Sequence, residues 1–190
     1  QAPTSTGSYL MEKGKKAVFL IYSSAVTNLT VARNDLHVVS MPYTIDSTAI
    51  TDLMIEAEGK DTVEIRVLQG DDMFSTYSIS TLRLVQPFYY SAHADRADSM
   101  FTSAAELTIS SYAGDLSELE DTGLEDGNAR IRITVEQTLT DGDATEVTTS
   151  VYRIGNFASA DQVYVQVDDT TAVYLVGTDT ISFLDDATPG

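Results

Sequence analysis

Alternation of apolar and polar side chains with period two runs through most of the chain and predicts strands. Residues 50–58 set Leu53, Ile55 and Ala57 against Asp52, Met54, Glu56 and Glu58. Residues 61–69 set Val63, Ile65 and Val67 against Glu64, Arg66 and Leu68. One apolar and one polar face is the pattern of a half-buried strand. Glu58-Gly59-Lys60-Asp61 between the two runs suits a tight turn, which makes them a hairpin. The alternation returns over residues 129–138, 146–154, 162–167 and 172–176. Asp141-Gly142 joins the first two of these, and Asp168-Asp169-Thr170-Thr171 joins the last two. Residues 8–13 and 17–22 read as a further hairpin across Gly14-Lys15-Lys16. Residues 73–79 read as an additional strand, and residues 82–85 lead to Pro87.

One segment changes period. From Asp95, the apolar residues Ala97, Met100, Phe101, Ala104 and Leu107 recur three or four apart, which predicts an amphipathic helix over residues 95–106. Asp95 and Asp98 fall in its first turn, where the helix dipole favours carboxylates. Shorter helical segments are expected at 23–29, 116–121 and 179–186, and a chain reversal at Gly114. The expected fold is α+β: a largely antiparallel twisted sheet with one main helix packed on one face. Its core should contain Val18, Leu20, Ile55, Ile65, Met100, Phe101, Ile131, Ile133, Val163, Val165, Val173 and Leu175.

Two segments match each other. Residues 16–29 read KAVFLIYSSAVTNL and residues 171–184 read TAVYLVGTDTISFL, aligned without a gap at an offset of 155. Ala17, Val18, Leu20 and Leu29 are identical to Ala172, Val173, Leu175 and Leu184. Tyr9 and Tyr164 share the same offset. On this reading residues 1–34 are the terminal hairpin and turn of a preceding module, and residues 35–190 are a full α+β module, the whole forming one unit.

Charge narrows the partners. Eleven Lys and Arg stand against 29 Asp and Glu, for a net charge of −18, and the last lysine is Lys60. Nucleic-acid binding needs clustered cations to displace counterions, so nucleic acid is excluded as an expected partner. An anionic membrane surface is disfavoured for the same reason. With 43% apolar and 21% charged residues, the chain has the composition of a folded domain rather than a disordered one. The absence of cysteine removes disulfides, zinc–thiolate sites and thiol nucleophiles. The longest apolar run, residues 17–22, is far short of the roughly 20 residues of a membrane-spanning helix. No signal-peptide pattern is present, and the opening Gln-Ala-Pro-Thr-Ser-Thr-Gly-Ser reads as a cut end.

Catalytic patterns are weak. The two histidines are His37, in a strand-like run, and His93, just before the helix. Ser91, His93 and Asp95 are near in sequence, but their spacing at a helix start does not build a nucleophile–base–acid relay. The acids gather at turn positions such as 71–72, 125–126 and 168–169, where turn chemistry explains them. Asp141, Asp143 and Thr145 resemble the start of a calcium loop without its glycine or its closing glutamate. No glycine-rich phosphate loop occurs. No cofactor, metal or catalytic residue is therefore expected. The candidate ligand-binding residues are aromatic: Phe88, Tyr89 and Tyr90 before the helix and Tyr112 after it. Such rings could line a sugar or peptide groove, or alternate members could bury against the helix.

The order of several motifs resembles domain-of-unknown-function family 4340, repeat-bearing bacterial envelope proteins. The matching pieces are KAVFLIYSSAVTNL, AITDLMIEAEGKDTVEIRV, QPFYYSAHAD, GLEDGNARIRITV, the YRIG of Tyr152 to Gly155, and QVYVQVDDTTAVYLV. They span nearly the whole chain. The chain departs from the family in lacking a Trp near Leu82 and a Pro near Gly127. The resemblance implies a non-catalytic extracytoplasmic module tethered to the cell membrane by an N-terminal segment upstream of this chain. It implies protein partners in the envelope, with ABC-transporter components as the nearest class. Carbohydrate or peptide binding through the aromatic residues is the alternative function.

Overall fold

The computed structural model describes residues 7–11, 13–14, 16–22, 26, 44–68 and 81–186. The chain divides into two units, Gln1–Val38 and Val39–Gly190. In the first, β1 (Gly7–Met11) and β2 (Val18–Tyr22) form an antiparallel hairpin, paired from Gly7↔Tyr22 to Met11↔Val18. Gly14 takes φ +87° in its turn, a conformation that glycine adopts without a Cβ clash. Val18 and Leu20 correct the expected core: they are 58% and 56% exposed. Among the described residues this sheet has only two strands, so nothing within it covers either face.

The second unit runs β3 (Ile50–Ala57), β4 (Val63–Val67), β5 (Leu82–Gln86), β6 (Tyr90–Ser91), α1 (Ala94–Ala105), β7 (Ile109–Asp115), β8 (Ile131–Asp141), β9 (Ala144–Phe157), β10 (Gln162–Val167), β11 (Ala172–Gly177) and α2 (Phe183–Asp186). The strands form one antiparallel sheet in the order β6-β5-β4-β3-β8-β9-β10-β11-β7. The fold is therefore α+β, with α1 as its one main helix. Residues 116–121 correct the expected second helix: only a 3₁₀ turn, Leu116–Glu118, forms there. Gly114 does not reverse the chain but lies inside β7. The expected strand at 73–79 lies outside the described residues, as do His37 and, Val26 apart, the expected helical turn at 23–29.

The sheet's two edges, β6 and β7, are joined through α1. Nine flat strands at about 4.8 Å spacing would span about 38 Å, whereas twelve helical residues span about 18 Å. Flat geometry would require the short linkers at each end of α1 to be pulled nearly straight. The sheet instead curls around the helix, and Ala97, Phe101 and Ala104 are buried in the same cluster as Leu53, Ile65, Ile133, Tyr152 and Val165. Met100 and Ile131 are half-buried against this cluster, and Leu175 is half-buried. Shifts in pairing between Ile50 and Asp52 and between Val163 and Val165 mark bulges, which add twist and bend to a strand.

Two further contacts fasten the unit. The Gln137 side chain, 3% exposed, accepts from the Asp46 amide and donates to the Thr44 carbonyl, tying the segment before β3 to β8. Gly155 lies beneath the segment that leads to β8. A Cβ there would sit 2.1 Å from the Thr122 carbonyl oxygen, and Thr122 and Leu124 are both fully buried. The Asn156 amide donates to that carbonyl at 2.6 Å, clipping the segment onto β9.

Candidate functional site

The aromatic residues of the sequence reading do not form one cluster. Phe88, Tyr89 and Tyr90 stand together where the chain enters β6, the edge strand beside β5. They are 69%, 67% and 75% exposed, so none of the three buries against α1. Tyr112 lies on β7, the opposite edge strand, and is 4% exposed. Its hydroxyl donates to Asp115 at 2.8 Å, and its ring meets Tyr174 edge-on at 5.9 Å. Tyr112 is thus held inside the fold, and the accessible aromatic surface consists of the three consecutive residues.

The Gln86–Pro87 peptide is cis, and Leu84 pairs with Tyr90 across the short reversal between β5 and β6. Leu82 and Leu84 point to the core side. Arg83 points the other way, where its guanidinium donates to Ser91 Oγ at 3.1 Å and to the Leu82 carbonyl at 3.1 Å. This charged stem and Ser91 brace β6 from beneath. His93 is exposed at the N-cap of α1 and makes no capping bond through its side chain.

Next to this edge, the outer face of β3–β4–β5 carries a network of polar side chains. Arg66 donates to Asp52 at 2.7 Å and also to Glu64, while Gln86 donates to the other oxygen of Glu64 at 2.8 Å. Glu64 is 6% exposed. Burial pushes the Asp52 carboxyl above its usual range, with the hydrogen bond from Arg66 opposing the shift. The same bond raises Arg66 above its ordinary value. These carboxylates are cross-strand partners of cations and amides, and each is already engaged.

Elsewhere, burial pushes the Tyr152 phenol well above its ordinary value. Glu125 is held below the usual carboxylate range by its own backbone amide and by Thr122. Asp46 is lowered by Thr48. Asp141 and Asp143 flank Gly142 in the turn between β8 and β9. Among the described residues no group of three or more His, Asp and Glu is placed to hold a metal ion. A groove of about 410 Å³ between α1 and the segment before α2 is lined by Arg96, Ser99, Met100, Ser103, Ser182 and Phe183. It contains no carboxylate. A second groove, of about 380 Å³, contains Asp98 as its one acid. Neither holds the two facing carboxylates that glycoside hydrolysis uses. No helix among the described residues is long and apolar enough to cross a membrane.

The sequence reading did not single out Arg83 or Glu64 as buried. Their one signal was position: each is a charged residue alternating with core residues on a strand with neighbours on both sides. Comparison with protein-family models, curated proteins and solved structures finds no match to this chain.

Proposed function

We propose that this chain is a non-catalytic interaction module, displayed outside the cytoplasm, that docks a protein partner of the cell envelope through Phe88, Tyr89 and Tyr90. The observation that carries the reading is the exposure of three consecutive aromatic side chains on a sheet edge. Large rings in water are unfavourable unless something covers them, and aromatic side chains supply much of the contact energy at protein interfaces. Among the described residues no strand pairs with the outer side of β6, an edge to which an incoming strand can add while the rings supply apolar contact. The resemblance to family 4340 supports the envelope setting and makes ABC-transporter components the first partners to try. Binding rather than bond-breaking also fits the engagement of Asp52 and Glu64 by Arg66 and Gln86.

The test is a comparison of the chain with the triple variant Phe88→Ser, Tyr89→Ser, Tyr90→Ser. Both are immobilised against envelope proteins from the source cell and against a panel of cell-wall glycans. Circular dichroism should superimpose, since the three side chains are exposed. A protein retained by the parent chain and lost with the variant supports the reading. Retention of glycans alone, lost with the variant, replaces it with the carbohydrate-binding alternative. Equal retention by the two chains removes the aromatic residues from any binding role.

A further inference from the structure

The hairpins β1–β2 and β10–β11 share one register. All five pairs of the first recur in the second at an offset of 155: Gly7↔Tyr22 becomes Gln162↔Gly177, and so on to Met11↔Val18, which becomes Gln166↔Val173. Register is set by side-chain pattern and by loop length, so five coincident pairs are a structural likeness beyond the matching letters.

The surroundings of the two hairpins differ. In the second unit β10 pairs on its outer side with β9, and β11 with β7. Val165 and Val173 are 3% and 0% exposed there. Their counterparts Leu10 and Val18 are 48% and 58% exposed. Tyr174 packs edge-on against Tyr112, whereas its counterpart Phe19 is 56% exposed. Apolar side chains thus stand at the positions that the second hairpin buries. Two strands alone are marginal in water and leave both edges open to pairing.

We propose that β1–β2 is the closing hairpin of another module with the fold of residues 39–190, lying N-terminal to it in the same polypeptide. That module supplies a β9-like strand to the outer edge of β1 and a β7-like strand to the outer edge of β2, where no strand pairs among the described residues. Its main helix covers Leu10, the counterpart of Val165, which shares a cluster with Ala97 and Phe101 of α1, while Val18 is covered on the opposite face, as Val173 is. Order along the chain identifies this occupant: α1, β7 and β9, which enclose β10–β11, all precede it in sequence. A second copy of this chain is a poor host, because its own β10–β11 fills the slot with Val163, Val165 and Val173 already buried. The inference does not depend on Phe88, Tyr89 or Tyr90.

The test is amide hydrogen exchange on the 190-residue chain and on the gene product extended by the native sequence before Gln1. The hairpin amides should exchange freely in the shorter chain and at least 100-fold more slowly in the longer one, approaching the rates of residues 163–167 and 173–177. In the longer protein, Leu10→Asp with Val18→Asp should restore fast exchange in the hairpin and leave residues 44–186 unchanged. Equal rates in the two proteins overturn the proposal. So does protection of the hairpin in the shorter chain at every concentration, or a native sequence with no module-length segment before Gln1. Protection that appears only as the shorter chain is concentrated, with a dimer by sedimentation, assigns the slot to a second copy instead and overturns it too.

Discussion

Val18 and Val173 are the same residue type at the same place in the same kind of hairpin, yet one is 58% exposed and the other fully buried. Local sequence explains what they share. An alternating run, a reversal and a second alternating run pair in one register in both hairpins. What they do not share comes from neighbours distant in sequence. β9, β7 and α1 make β10–β11 part of a core, while β1–β2 has no such strands among the described residues. A hairpin's pairing is therefore a local property and its burial a tertiary one.

The sharpest way to break the comparison is at the strand on which β10 docks. Gly155→Ala places a Cβ against the Thr122 carbonyl and the Leu124 side chain, both parts of a segment clipped to β9. The expected cost is about 3 kcal/mol, by overpacking at a site with no room to relax. Urea unfolding followed by circular dichroism would measure it. A loss below about 0.5 kcal/mol, the scale of an ordinary surface change, would show that this close approach is not a constraint.

The matched valines provide the next largest effect. Val173→Ala should cost the second unit about 2 kcal/mol, from lost burial plus the cavity left behind. Val18→Ala in the same chain should stay within about 0.5 kcal/mol, as expected of an exposed side chain. Equal effects would mean that the two hairpins have similar surroundings in solution, and the contrast between a buried and an exposed valine would fall.

The smallest expected effect lies on the polar outer face. Burial raises Asp52 above its ordinary value, so the folded chain holds this proton more tightly than the unfolded one. The contribution of Asp52 to stability is thus fully present below the ordinary carboxylate range and lost as pH rises through the raised value. Asp52→Asn should remove that component of the pH dependence. At neutral pH it should change stability by no more than about 1 kcal/mol, since Arg66 is half-exposed and water screens the pair. Chemical denaturation from about pH 3 to 7, a range spanning the ordinary carboxylate values, would show it. An unchanged profile would mean that Asp52 titrates as it does in the unfolded chain.

Much of the strand map was legible beforehand because period-two alternation survives in half-buried strands. Residues 50–57, 63–67, 162–167 and 172–177 fall where the pattern placed them. The helix was legible because Ala97, Met100, Phe101 and Ala104 have the spacing of one face. The segment after Gly114 was misread because residues 116–121 carry helical letters, while the chain uses them only to turn back toward the sheet. The candidate surface was legible in part. Three consecutive aromatic residues draw attention in any sequence, but nothing local distinguishes Phe88, exposed at 69%, from Tyr112, sealed at 4%.

The sequence by itself determined the alternating strands and their hairpin partners, though not the edge strands β6 and β7, together with the amphipathic helix and the α+β class, because these follow from side-chain periodicity and turn chemistry over a few residues. Only the tertiary structure decided that α1 joins the two sheet edges, that Glu64 and Arg83 lie buried, and which aromatic residues face water. Those outcomes depend on which distant strands become neighbours, and burial is a property of neighbours rather than of the residue that they cover.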